Sequence, residues 1–83
     1  MIRAVGSNQT VLTRKNGLAV LFSYETPVAA LVPNIGYVKV DWKTLAPEHR
    51  SRTTRRHINN WLPEPEATET RPLKFFKSLE EAE

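Results

Sequence analysis

Residues 50–62 read RSRTTRRHINNWL, and this stretch predicts both the main helix of the chain and the face on which that helix packs. Successive residues of a helix turn by about 100°. One arc is then polar and strongly basic, and it comprises Arg52, Arg55, Arg56 and Asn59. The opposite arc suits a protein core, and it comprises Thr54, His57, Ile58, Trp61 and Leu62. We therefore expect one face to pack on a core while the other presents arginines to solvent, with no carboxylate in the segment.

Two starting points for this helix compete. Pro47 can occupy the first position of a helix, because its missing amide hydrogen is not needed there. Ser51 can instead cap the helix by accepting from an amide about three residues on. Ser51 is the preferred start, because a helix that begins there places Thr54, Ile58 and Trp61 on one face. Pro63 ends the helix, since the residue before a proline avoids the helical conformation.

The N-terminal half of the chain predicts a β-hairpin. The first nine residues show no clear pattern, but residues 10–13 (TVLT) and 18–24 (LAVLFSY) are both β-prone. Asn16-Gly17 lies between them, and this dipeptide is a strong hairpin signal because both residues tolerate a positive φ. The second run is almost continuously apolar, which is typical of a strand covered on both faces.

Two further strands are expected before the helix. Residues 28–32 resume an extended apolar pattern after Pro27, and either one long bent strand or two strands joined by a tight turn fits this interruption. Residues 33–36 (PNIG) are a second turn signal. Residues 37–42 (YVKVDW) alternate between apolar and polar side chains, which predicts a half-exposed antiparallel strand.

The C-terminal quarter of the chain, residues 63–83, differs in composition. Residues 63–72 form a polar, proline-containing linker, and residues 73–79 are spaced as a short amphipathic helix. So short a helix is marginal without packing, so it either docks on the sheet or serves as a recruitment peptide. The predicted fold is α+β: a small antiparallel sheet of three or four strands, one main helix packed on it, and a short C-terminal helix. Residues 1–62 form the compact domain, and residues 63–83 form the linker and an acidic amphipathic tail.

Composition places the protein among small domains of the cytoplasm. The chain has 83 residues and no cysteine, which excludes disulfides and thiolate metal sites. No apolar run approaches the roughly 20 residues of a membrane span, and no signal peptide is recognisable. The net charge of +3 is uneven, with nine Lys and Arg against three acids in residues 1–62 and three against six in residues 63–83. The acidic tail either screens the basic face or only solubilises the terminus.

Catalysis has little support in the sequence. His49 and His57 are the two histidines, and they lack the spacing and acidic neighbours of a zinc site. No nucleophile or phosphate-loop pattern is present. We therefore expect a protein that is not an enzyme and that has no metal and no cofactor.

Binding of an anionic partner is better supported. Arginine matches phosphate geometry with two parallel hydrogen bonds, and a helix N-terminus adds amides and a positive dipole. The candidate binding residues are Lys43, Arg50, Arg52, Arg55, Arg56 and Asn59. An arginine face that is merely solvated is the competing interpretation.

Two segments together carry a resemblance: residues 21–29, LFSYETPVA, and residues 51–59, SRTTRRHIN. This pairing resembles a widespread group of small proteins encoded by phages and other mobile elements, which carry an L-F/Y-S-Y-x-T-x-V-A strand and an S-x-T-T-x-x-H-I helix start. The resemblance covers about residues 21–62, and it implies a phage origin rather than a reaction. The polar residues that it singles out are Ser23, Tyr24, Thr26, Ser51, Thr53, Thr54 and His57. This chain departs from the pattern in a longer connector, which contains Pro47, and in more arginine.

If the helix crosses the sheet, these hydroxyls and the histidine can converge. They then form either a structural hydrogen-bond network or a small anion site.

The function predicted is that of a phage-type accessory protein that binds nucleic acid or a host nucleoprotein through the arginine helix. The alternative is a stoichiometric inhibitor of a host defence system, such as CRISPR, acting by protein–protein docking. A third possible function, sequestering a nucleotide signal molecule, would require a binding pocket. No membrane partner is expected, and the oligomeric state stays open, with a homodimer as one option.

Overall fold

The described residues form one mixed six-stranded sheet and two α-helices. The structure is a computed structural model that describes residues 2–6 and 8–81. The strands are β1 (Ile2–Gly6), β2 (Gln9–Thr13), β3 (Ala19–Ser23), β4 (Thr26–Val32), β5 (Gly36–Val40) and β6 (Glu69–Arg71). The helices are α1 (Arg52–Trp61) and α2 (Leu73–Glu81). The strands follow one another across the sheet in chain order. All neighbours are antiparallel except β5 and β6, which are parallel.

The α+β class is confirmed, but the sheet has more strands than the three or four expected. The two additional strands are β1 and β6, and they form the two edges of the sheet. Edge strands bury little, so they need not show the apolar alternation that marks inner strands. Ile2 is 72% exposed, and Glu69 and Thr70 of β6 are also exposed. This explains why residues 1–9 showed no pattern and why residues 69–71 resembled a linker.

Two predicted turns are confirmed. Gly17 adopts a φ of 96°, and the Arg14 amide donates to the Leu18 carbonyl at 2.8 Å to close the hairpin of β2 and β3. At the second turn, Asn34 and Gly36 have φ values of 69° and 99°. Both sites use residues that adopt the left-handed conformation at low cost.

The interruption near Pro27 is a tight turn between two strands, the second of the two alternatives. Ser23 pairs with Thr26, so only Tyr24 and Glu25 connect β3 to β4. Tyr24 has a φ of 58°, which is a strained conformation for a bulky side chain. The pairing shifts register just beyond this turn, and Pro27 lies at that irregularity, where a missing amide hydrogen is tolerated.

Each of the two predicted start positions, Pro47 and Ser51, begins a different helical element. Pro47 begins a separate 3₁₀ turn, Pro47–His49. Ser51 is the N-cap of α1, and its Oγ accepts from the Thr54 amide at 3.1 Å. Helix α1 then ends at Trp61, before Pro63, as the sequence predicts.

Both faces of the sheet centre are buried. Leu21 and its partner Ala29 lie on one face, Val20 and its partner Ala30 lie on the other, and all four are fully buried. Helix α1 covers the first face, since Ser23 contacts it from the same side as Leu21. The opposite face is left to α2, which lies against β4 and β3.

The C-terminal segment is therefore part of the domain. Residues 69–71 extend the sheet beside β5, and Phe76 of α2 is fully buried in the same core as the strands. Two apolar faces of one sheet need two covers, and α2 supplies the second cover for the sheet formed by residues on both sides of the predicted boundary at residue 62. Of its two expected roles, the C-terminal helix takes that of docking on the sheet. Residues 82 and 83 of the predicted tail, like Met1 and Ser7 of the predicted domain, lie outside the described residues. Neither described helix is long and apolar enough to cross a membrane.

Candidate functional site

The basic face of α1, defined here as Arg52, Arg55, Arg56 and Asn59, is exposed as predicted. The buried side of the helix comprises Thr54, His57 and Ile58. Among the described residues, none of the three arginines has a carboxylate within ion-pairing distance. The ion pair that the described residues do form, between Arg71 and Glu69, lies on β6 and not on α1. The first turn of α1 also contains no acidic residue. Since the N-terminus is the positive end of the helix dipole, the arginines add to a positive potential that no ion pair among the described residues neutralises.

Arg55 is held in place by an aromatic ring. Its guanidinium carbon lies 4.5 Å from the centroid of the Trp42 ring, which is within the range of a cation–π contact. Trp42 lies two residues beyond the end of β5 and is partly buried. The contact therefore ties the basic face to the end of the sheet and restricts the conformations of Arg55.

Arg50 and Lys43 belong to the connector before α1 more than to the basic face. Arg50 donates from Nε to the Leu45 carbonyl at 2.9 Å and from Nη2 to the Lys43 carbonyl at 3.0 Å. These bonds hold the connector in shape and leave fewer donors of Arg50 for a ligand. The Lys43 side chain is exposed.

Four of the polar residues singled out by the resemblance form one network, in which Ser51 is exposed and the other three are buried. Ser23 Oγ lies 2.7 Å from His57 Nδ1 and 3.1 Å from Thr54 Oγ1. Ser51 Oγ donates in turn to Thr54 Oγ1 at 3.1 Å. Ser23, Thr54 and His57 are only 2%, 3% and 5% exposed. The network joins the end of β3 to the first two turns of α1.

His57 is neutral within this network. Burial lowers the pKa of His57 below its ordinary value because the charged form loses solvation, and the positive charge of Arg56 lowers it further. A chain of donors from Ser51 through Thr54 and Ser23 to Nδ1 satisfies every hydroxyl and leaves the ring proton on Nε2. The geometry is therefore that of an internal hydrogen-bond network, and its hydroxyls are committed to one another.

The other three residues of the constellation lie outside the network. The Tyr24 ring is tilted over His57 with 6.2 Å between the centroids, so it borders the network without a hydrogen bond to it. Thr26 lines a shallow cavity together with Tyr24 and His49. Thr53 is exposed on α1.

The sequence did not predict the contact between Trp42 and Arg55; it left Trp42 either as a core residue or as a base-stacking residue. Trp42 and Arg55 are separated by a connector with two 3₁₀ turns, and no local pattern signals a contact over that distance. Together with Asn59 they border a cavity of about 250 Å³ between α1, the end of β5 and β6. Within the described residues, no group of three His, Asp or Glu side chains is placed to hold a metal ion.

The model of a family of unknown function, DUF8033, matches residues 2–78. The chain therefore belongs to this family, and the match includes all six strands, α1 and most of α2. Comparison with curated proteins and with solved structures gives no match.

Proposed function

We propose that this protein is a small, non-enzymatic accessory protein of phage type that binds nucleic acid, alone or in a nucleoprotein, through the basic face of α1. The observation that carries the proposal is the set of exposed arginines Arg52, Arg55 and Arg56, which have no carboxylate partner among the described residues. A phosphate backbone supplies the missing negative charges at regular spacing.

The arrangement of these arginines favours a ligand over mere solvation. Arg52 and Arg56 are four residues apart, and like charges at this spacing destabilise a helix by a few tenths of a kcal/mol. Arg52 also lies in the first turn of α1, at the positive end of the helix dipole. A phosphate placed across the two arginines would relieve both repulsions and accept charge-assisted hydrogen bonds.

The contact with Trp42 favours the same function. An arginine side chain loses substantial rotational freedom when it binds a ligand. Because Arg55 already rests on the Trp42 ring, part of this entropy is lost before binding. A guanidinium that is partly ordered before binding suits recognition of an anionic chain.

The test is a titration of the full chain with single-stranded and duplex oligonucleotides at several salt concentrations. The slope of log K against log salt measures the number of phosphates neutralised. The double variant Arg52→Ala/Arg56→Ala should reduce this slope by about 1.4 to 1.8. The matched control is Lys74→Ala/Lys77→Ala, which removes the same charge from exposed positions on α2 and should leave most of the slope intact.

Two results would contradict the proposal. One is the absence of binding to any oligonucleotide at low salt and micromolar concentration. The other is an equal loss in both double variants, which would indicate a response to net charge rather than to the basic face. In either case, docking on a host defence protein becomes the leading function, and a pull-down with the purified protein is the next experiment.

A further inference from the structure

The cavity beside the basic face has the chemistry of a nucleobase site. Its volume is about 250 Å³, and it opens where α1, the end of β5 and β6 meet. Trp42 and the buried Ile58 supply apolar surface, while Asn59 and Thr70 supply exposed polar groups. Apolar surface combined with polar groups is the usual composition of a small-ligand site.

The stacking surface in this cavity is the pair of Trp42 and Arg55. Arg55 covers the Trp42 ring at 4.5 Å, and the Arg55 side chain is itself exposed. Unpaired bases stack on arginine guanidinium planes as well as on aromatic rings. A base placed on the outer side of Arg55 would complete a stack of base, guanidinium and indole.

The polar groups around the stack can recognise the edge of a base. The Asn59 amide offers both donors and an acceptor, and it has no hydrogen-bond partner among the described residues. Lys39 also lines the cavity, but its Nζ donates to the Pro65 carbonyl. Asp41 Oδ1 accepts from the Lys43 amide. Asn59 is therefore the side chain best placed to bind a base edge.

We propose that this cavity binds one unpaired nucleobase, and hence that the ligand of the basic face is single-stranded nucleic acid. The inference rests on the proposed function and deepens it: Arg52 and Arg56 hold phosphates, while Trp42, Arg55 and Asn59 hold a base. In a duplex the bases are paired and stacked, so a base reaches the cavity only at the cost of unstacking. A single strand should therefore bind more tightly than a duplex.

The experiment uses Trp42 fluorescence in the full chain with the substitution Trp61→Phe, which leaves Trp42 as the only tryptophan. The probes are a mixed-sequence single strand of about a dozen nucleotides, as DNA and as RNA, the matching duplex, and an abasic strand of the same length. The two normal single strands should change the Trp42 emission as they saturate the protein. The abasic strand, which keeps the phosphates, should bind more weakly and leave the emission unchanged.

Asn59→Ala is the variant that tests base recognition. It should weaken binding of the normal strand by roughly 3- to 10-fold, the range expected for one lost hydrogen bond, and should not affect binding of the abasic strand. Asn60→Ala, on the next exposed position of α1, is the matched control and should change neither affinity.

The results separate this inference from the function on which it rests. Equal binding of normal and abasic strands, with sensitivity to Arg52→Ala/Arg56→Ala, would overturn the base site and leave nucleic-acid binding in place. A preference for the duplex would overturn the base site as well. Failure of every probe to bind would overturn both.

Discussion

At the scale of single residues, the contact between Ser23 and His57 links the two halves of the domain. Ser23 lies at the end of β3, immediately before the strained Tyr24, and His57 lies in the middle of α1. The contact is short, 2.7 Å, and buried. Buried polar groups are costly when unpaired, so this pair specifies how α1 sits on the sheet. The position of the basic face follows from that docking.

Removing the Ser23 hydroxyl should destabilise the fold. Ser23→Ala leaves His57 Nδ1 and Thr54 Oγ1 without a shared partner, and an unsatisfied buried group costs about 1–3 kcal/mol. We expect this loss in the free energy of unfolding measured with urea. Thr53→Ala changes an exposed hydroxyl of the same helix and is the control, with an expected change within about 0.5 kcal/mol. Equal stability of the two variants would show that the network contributes nothing to the fold.

The neutral His57 predicts loss of stability in mild acid. Its pKa is lowered in the folded protein by burial and by Arg56, so the unfolded chain takes up a proton first as the pH falls through about 6.5. Stability is therefore complete above that pH, and it decreases between there and the lower pKa of the folded state. Unfolding curves from pH 8 to pH 5 should show this decrease.

His57→Gln should flatten the dependence of stability on pH in that window, although the variant is less stable throughout. His49→Gln, which changes an exposed histidine, should keep the slope of the unsubstituted protein. A slope that survives in His57→Gln would mean that another group controls the acid response.

Residue-level reasoning from sequence succeeds where neighbours lie on one helix. The helical period alone places Thr54 and His57 inside and Arg52 and Arg56 outside, and the structure agrees. It fails where contacts join distant segments. The order of bonds within the polar network depends on the register of β3 against α1, which no local spacing encodes.

At the scale of elements, the inner strands and the helices were predictable because each has to bury a face. The apolar run of β3, the turns that flank it and the cap of α1 all have local chemical signals. The short strand β6 has none, since its three residues are polar and it adds only an edge. Its pairing with β5 is parallel and is made possible by the return of the chain through α1. Parallel pairing of this kind needs a long crossover connection. It therefore depends on the path of the whole chain and cannot be predicted from the three residues of β6 alone.

Whether α2 stabilises the core can be tested by truncating Phe76. Phe76 is fully buried, so Phe76→Ala should lower the free energy of unfolding by about 3–5 kcal/mol. The measurement is urea unfolding followed by far-ultraviolet circular dichroism. Lys77→Ala, the next and exposed position, should have an effect within about 0.5 kcal/mol. A small effect of Phe76→Ala would mean that α2 is an appendage and that residues 1–62 fold without it.

At the scale of the whole molecule, the fold brings the two charge halves of the sequence together. Glu64, Glu66 and Glu69 lie along the body of the domain, because the Pro65 carbonyl accepts from Lys39 and β6 lies along β5. Thr70 of this segment borders the same cavity as Arg55. Glu64 and Glu66 therefore flank a residue bound to Lys39, which itself lines that cavity, and we expect their charges to oppose an incoming phosphate.

This placement predicts that the acidic segment weakens nucleic-acid binding at low salt. Glu64→Gln/Glu66→Gln removes two exposed carboxylates, and since interactions between exposed charges contribute up to about 1 kcal/mol each, the affinity should rise by roughly 2- to 10-fold. The gain should disappear at about 1 M salt, where the screening length falls to about 3 Å. The measurement is the oligonucleotide titration at both salt concentrations. An affinity that is unchanged at low salt would mean that the acidic segment only solubilises the chain. A gain in affinity that persists at high salt would mean that the two glutamates act through the fold rather than through their charge.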